Sequence, residues 1–137
     1  MTKRTYIDAN LLIAAWKGDE EAGLAALTVL DALDRTLLVS DALWLEVMPK
    51  AIYEKRQGEQ VFYQSIFERA EHCPWRLDVL QQAHGLAQRY GIAAMDSIHL
   101  ATALAAGADE FISGEKPTKP MFRVRDIPMI SLRGKAL

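Results

Sequence analysis

The sequence predicts an α/β fold, a three-layer α/β/α sandwich around a central, mainly parallel sheet. Short β-prone runs alternate along the chain with stretches whose apolar residues recur at helical spacing. At least one β-prone run, Leu37-Leu38-Val39, is continuously apolar, as in a strand buried on both faces. Helix dominates by length, which suits a sheet covered on each side.

The elements follow in order. Arg4 to Ile7 is a first short strand that ends at Asp8, and a helix near 10–16 follows the Asp8-Ala9-Asn10 turn. Residues 20–34 place Leu27, Leu30 and Leu33 on one stripe beside Ala26 and Val29, an amphipathic helix. Thr36 to Ser40 reads as a buried strand. Ser40 or Asp41 then caps a helix that runs to about Arg56 and is ended by Gly58. Phe62, Ile66 and Ala70 mark the next helix at four-residue spacing, and Cys73-Pro74-Trp75 holds a short strand. The helix over 77–90 carries Leu80, Ala83, Ala87 and Tyr90 inward until Gly91 stops it. Asp96 to Ala106 is a further helix, rich in small residues and ended by Gly107; Glu110 to Ser113 and Pro128 to Leu132 are the last strands. The whole of residues 1–137 is expected to form one domain.

Composition narrows the class. Half of the 137 residues are apolar and 25% are charged, the profile of an ordinary globular protein. The longest apolar-rich stretch, Ile98 to Ala108, is interrupted by His99 and Thr102 and falls short of the roughly 20 residues that span a bilayer. Lys3 and Arg4 are basic, but Asp8, Asn10 and Lys17 break up what would be the apolar part of a signal peptide. The single cysteine, Cys73, excludes an intramolecular disulfide and a cysteine-rich zinc site. A cytoplasmic protein without a membrane partner is the expectation. The formal net charge of −2 gives no global signature for nucleic acid. Yet between Lys116 and Leu137 six basic residues (Lys116, Lys119, Arg123, Arg125, Arg133, Lys135) stand against one acid, Asp126. That segment is either a solvated tail or a phosphate-facing surface.

Parallel α/β sheets bind ligands beyond the carboxyl ends of their strands. Asp8 ends the first strand, Glu115 lies just past strand 110–113, Asp96 opens the helix before that strand, and Glu46 sits less than two turns into the helix after the second. Four carboxylates can therefore converge on one edge. Hard divalent cations such as Mg²⁺ and Mn²⁺ favour such oxygen ligands, and phosphodiester cleavage uses them to lower the pKa of a water and to stabilise the leaving oxygen. Each acid also has a plain structural reading. Asp8 can cap the following helix, Asp96 can face the helix dipole, Glu46 can pair with Lys50 one turn on, and Glu115 can be a loop charge. Against that, Glu46 lies among Trp44, Leu45, Val47 and Met48, where a carboxylate needs a partner. Spacing alone leaves both readings open.

The motifs add to this. Thr5-Tyr6-Ile7-Asp8-Ala9-Asn10-Leu11-Leu12-Ile13 resembles the opening motif of the PIN domain family, and Ser40 to Val47 resembles its second acidic block. The run Ala94-Met95-Asp96-Ser97-Ile98-His99-Leu100-Ala101-Thr102-Ala103, followed by Gly107-Ala108-Asp109 and Phe111-Ile112-Ser113, is similar to the PIN proteins that act as toxins of VapBC toxin–antitoxin pairs. The resemblance implies an endoribonuclease dependent on Mg²⁺ or Mn²⁺, with Asp8, Glu46 and Asp96 binding the metal and Asn10 supporting Asp8. It also implies a homodimer, a cognate antitoxin and RNA as substrate, for which Lys116, Lys119, Arg123 and Arg125 of the basic segment are the candidate contacts. The family's fourth acid follows a Thr-x-Asp pattern. Here Ser113-Gly114-Glu115 stands instead, with Ser113 in the supporting place and a side chain one methylene longer as the fourth acid. His99 falls on the face of Asp96, as either a ligand or a hydrogen-bonded structural histidine. Pro49 interrupts the hydrogen bonding of the helix that carries Glu46. Two rival readings remain: a PIN-fold module that binds RNA or protein without cutting, and a phosphatase using Asp8 as phosphoryl acceptor. The second lacks its usual paired aspartate, since Asn10 occupies that position.

Overall fold

The computed structural model describes residues 2–18 and 20–134; Lys135 of the basic segment lies outside them. The elements in chain order are β1 (Lys3–Ile7), α1 (Ala9–Lys17), α2 (Glu21–Asp31), β2 (Arg35–Ser40), α3 (Asp41–Tyr53), α4 (Gln57–Arg69), β3 (Glu71–Cys73), α5 (Leu77–Tyr90), α6 (Ala94–Ala105), β4 (Glu110–Ser113) and β5 (Met129–Ser131), with a 3₁₀ turn at Pro120–Arg123. The five strands form one sheet in the order β3-β2-β1-β4-β5, and every pairing is parallel. The expected parallel α/β/α sandwich is the observed one.

Alternation along the strands sorts the core into two layers. Ile7, Leu37, Val39 and Ile112 face α1 to α4, with Leu11, Leu30, Leu43, Met48, Tyr63 and Ile66 fully buried among them. Tyr6, Leu38 and Phe111 face α5 and α6, packed with Val79, Ala83, Leu86 and Leu100. A strand with both faces covered must be apolar at successive positions, which is why β2 reads as an unbroken Leu-Leu-Val run. Among the described residues no helix is long and apolar enough to cross a membrane.

Several local expectations shift. α3 ends at Tyr53, and Gly58 lies in the first turn of α4 rather than ending α3. A Cβ there would come within 3.1 Å of Trp16, so glycine lets α4 approach α1. β3 occupies Glu71–Cys73, two residues before the expected strand, pairing Ser40 with Cys73. Leu33 lies beyond α2 and is 97% exposed, while Leu80 points outward and Val79 and Leu86 take its place in the core. α5 has two stripes at helical spacing that share Ala83, and packing against α6 selects one.

The order β3-β2-β1-β4-β5 has its topological switch between β1 and β4. From β1 the chain winds outward through β2 to β3, and from β4 the other way to β5. At such a switch the adjacent connections diverge and leave a crevice at the carboxyl edge. That crevice lies between Asp8 and the residues after Ser113.

Candidate active site

Asp8 is the first residue past β1 and is 7% exposed. It caps α1: its Oδ1 accepts from the backbone N–H of Leu11 (2.9 Å) and of Gly114 (3.1 Å). Its Oδ2 accepts from the Ser113 hydroxyl at 2.5 Å. The helix-cap reading of Asp8 is thus correct as far as it goes, and the cap also ties β1 to β4. Burial pushes the Asp8 carboxyl above its ordinary value, and the bonds from Ser113, Leu11 and Gly114 oppose that rise. A carboxylate offers about four acceptor lone pairs. Leu11, Gly114 and Ser113 fill three of them, which leaves one position on Oδ2.

β4 delivers the other side. The Ser113 oxygen that donates to Asp8 accepts the backbone N–H of Glu115 at 2.9 Å, so one hydroxyl orients both acids. Gly114 is required by closeness. A Cβ on it would meet Asn10 C at 2.5 Å, Asn10 O at 2.6 Å and Leu11 N at 2.7 Å, all backbone atoms.

Asn10 donates its amide to Glu115 and not to Asp8, a correction to the support expected of it. The first turn of α1 aims the Asn10 side chain across the switch point, whereas Asp8 is held by backbone N–H groups and Ser113. Asp96, in the first turn of α6, is 19% exposed at its side chain, and Glu115 is 24%. The ammonium of Lys119 sits between them, 3.6 Å from Asp96 Oδ2 and 3.6 Å from Glu115 Oε2. Lys119 therefore lies inside the acidic site, as a cation shared by two carboxylates.

Glu46 comes from the other side of β1. The alternative pairing with Lys50 is not the one found: its Oε1 lies 2.6 Å from His99 Nε2. His99 is 3% exposed, and its Nδ1 is 2.7 Å from the Tyr6 hydroxyl, which in turn contacts Ser40 Oγ at 2.6 Å. Burial pushes the Tyr6 phenol far above its ordinary range, so it stays protonated. α3 runs through Pro49 as one helix.

A Mg²⁺ or Mn²⁺ ion has a suitable place in this arrangement. Among the described residues no three His, Cys, Asp or Glu form a ready cluster. However, Mg²⁺ is commonly held by one or two carboxylates plus waters and substrate phosphate, not by an all-protein cage. Asp96 and Glu115 already share one cation, the Lys119 ammonium, and all four acids offer hard oxygen donors.

Beside the acids, a cavity of about 420 Å³ is lined by Asn10, Lys17, Glu115, Lys116, Lys119 and Arg133, among others. Lys116 and Lys119 belong to it as expected of a basic face. Arg123 and Arg125 do not: they lie at the carboxyl end of α5, where Arg123 donates to the Tyr90 carbonyl and the Arg125 backbone N–H to the Tyr90 hydroxyl. The 3₁₀ turn after Lys119 carries them away from the crevice. Lys17, from the end of α1, takes a place that proximity in sequence had not suggested. Sequence reading also missed Tyr6 as the partner of His99 and Ser40 as the partner of Tyr6. Their only signal is that each is a polar group flanked by residues destined for the core.

A parallel α/β protein with carboxylates at its topological switch point is the class that this fold and crevice define. The chain belongs to the PIN domain family, whose model matches residues 5–117. Its fold is similar to that of VapBC2 from Rickettsia felis bound to a DNA fragment from its promoter, with a TM-score of 0.72 and 15% identity over 93% of this chain and 98% of that one. VapC20 from Mycobacterium tuberculosis, a sarcin–ricin loop cleaving toxin, superposes with a TM-score of 0.61 at 15% identity, covering 78% of this chain and 86% of that one. A toxin–antitoxin complex from Klebsiella pneumoniae gives 0.62 at 24% identity, with 81% and 86% covered. At these identities the likeness is one of fold. No curated protein sequence matches the chain.

Proposed function

We propose that this PIN-domain chain is an endoribonuclease dependent on Mg²⁺ or Mn²⁺, the VapC-like toxin of a toxin–antitoxin pair. The observation that carries the reading is the Lys119 ammonium held between Asp96 and Glu115, with Ser113 tying Glu115 to Asp8 at the switch point of the sheet. A position that gathers two carboxylates round one positive charge suits a divalent cation equally well. Bound there, the metal would supply an activated water and charge neutralisation for a phosphodiester.

The chain's own residues do the rest. Asp8 offers its one remaining lone pair from a position fixed by Leu11, Gly114 and Ser113. Asn10 fixes the direction of Glu115, whose longer side chain reaches the site occupied by aspartate elsewhere in the family. Asp96 approaches from α6, and Glu46 comes from α3, where it lines a neighbouring cavity that shares Lys17. Lys119 turns to the RNA backbone when its carboxylates are otherwise neutralised, and Lys17, Lys116 and Arg133 line the path of that backbone. The antitoxin is supported by structural neighbours that are toxin–antitoxin complexes, and a homodimer follows from the family resemblance.

Purified protein with Mn²⁺ is expected to cut RNA, and Asp8→Asn or Asp96→Asn to abolish cleavage while circular dichroism and Tm show an intact fold. Cleavage that persists in chelator, or cleavage by either variant that equals the parent's, overturns the mechanism. A second reading, a PIN-fold module that binds RNA without cutting it, is favoured by the absence of a three-ligand cluster among the described residues. It requires RNA affinity that survives chelation, with no product formed.

A further inference from the structure

Glu46 is the acid with the least local support. It sits on an outward-facing part of α3, 31% exposed at its side chain, and among the described residues its hydrogen-bond partner is His99 on α6. Behind His99 lies a chain of groups that are buried from end to end: Tyr6 at 0% exposure, His99 at 3% and Ser40 at 3%. Counting protons along that chain gives it a direction. Ser40 Oγ accepts the backbone N–H of Leu43 at 3.2 Å as the N-cap of α3, and donation of its own hydrogen to the Tyr6 oxygen, 2.6 Å away, is the arrangement that uses both hydroxyl hydrogens. The Tyr6 hydrogen then goes to His99 Nδ1, and the ring's remaining N–H, on Nε2, goes to Glu46. Reversed, the chain would leave the Ser40 hydrogen without an acceptor and would turn a bare Nε2 lone pair toward a carboxylate.

We propose that His99, with Tyr6 behind it, is a positioning residue for Glu46, presenting one Nε2–H that fixes the direction of the carboxylate. The proposal rests on the metal-site reading above and deepens it. Metal-binding carboxylates are themselves hydrogen-bonded by neighbouring groups, and loss of such a partner typically weakens metal affinity. The geometry also explains why a polar chain is kept inside an apolar layer beside Phe111 and Leu100.

Three variants of the full chain test this, read by Mn²⁺ calorimetry and by the ¹⁵N shifts of the His99 imidazole. His99→Leu keeps the volume and removes the donor; it should weaken Mn²⁺ binding by about 10–100-fold. His99→Gln, which places an amide N–H near the Nε2 position, should recover most of that affinity. Tyr6→Phe should weaken binding more mildly, and should shift the imidazole away from the single Nε2–H tautomer expected in the parent. A purely packing role predicts the opposite order, with Leu harmless and Gln costly. If the parent binds Mn²⁺ and His99→Leu binds it equally well, positioning is refuted while the metal site stands. If the parent itself binds no Mn²⁺, the metal site and the positioning role fail together. Should His99→Leu not fold, Tyr6→Phe decides: unchanged affinity together with an unchanged tautomer refutes the proposal.

Discussion

Gly114→Ala is the substitution whose effect the structure defines most closely. Gly114 does not have a positive φ, so the cost comes from space and not from backbone conformation. The added Cβ would lie 2.5–2.7 Å from three backbone atoms of Asn10 and Leu11, about 1 Å inside normal contact. Backbone atoms at the start of a capped helix cannot swing aside as a side-chain tip can, so β4 and α1 must separate. Overpacking of this kind costs about 1–3 kcal/mol. The same separation stretches the Gly114 N–H bond to the Asp8 carboxylate, 3.1 Å in the native site. Bonds to charged groups contribute about 1.5–3 kcal/mol when intact. A partial loss of that bond brings the total to about 3 kcal/mol. With an unfolding entropy near 2.1 cal/mol/K per residue over 137 residues, Tm should fall by about 10 °C. Differential scanning calorimetry measures this directly. Gly85→Ala is the control, since its Cβ meets nothing within 4 Å in the middle of α5; it should gain about 0.5–1 kcal/mol from helix propensity. A Gly114→Ala protein that melts within 2 °C or so of its parent would show that the β4–α1 contact is not the tight joint inferred here.

Glu110 supplies a pH test remote from the crevice. Burial alone would raise its carboxyl, but bonds from Thr5 and Arg35 and the charges of Arg35 and Lys3 hold it below the ordinary value. A depressed carboxyl stabilises the fold above its unfolded pKa, and that stability is lost as pH falls through the folded value. Glu110→Gln should therefore cost about 2 kcal/mol at neutral pH and less in acid, read from urea midpoints across pH. Lys119→Ala removes the cation that competes for Asp96 and Glu115, so Mn²⁺ should bind more tightly in calorimetry while RNA binds more weakly. A loss of Mn²⁺ affinity would contradict that placement of Lys119. Burial pushes the Cys73 thiol up to about 11, so the native protein should resist thiol reagents at pH 8 and react only on unfolding.

How much of this was legible in the sequence depends on how far apart the interacting residues lie. The order and kinds of elements were, because periodicity, caps and breakers are signals between near neighbours: Ser40 caps α3, and Gly91 ends α5 in the left-handed conformation. The position of Asp8 past a buried strand was likewise a local fact. The stripe chosen on α5 was not, since Leu80 and Val79 fit helical spacing equally well and only the neighbouring helix distinguishes them. The partners of each acid were least legible of all. Tyr6 and His99 are 93 residues apart, and Asp8 and Ser113 are 105. Such pairs depend on strand order and register, with Ile7 beside Ile112 and the switch falling between β1 and β4. The sequence by itself thus determined a parallel α/β fold and the acids available to it. Only tertiary structure gave Asn10 to Glu115, His99 to Glu46 and Lys119 to the site, because those choices are made by which strand ends lie side by side.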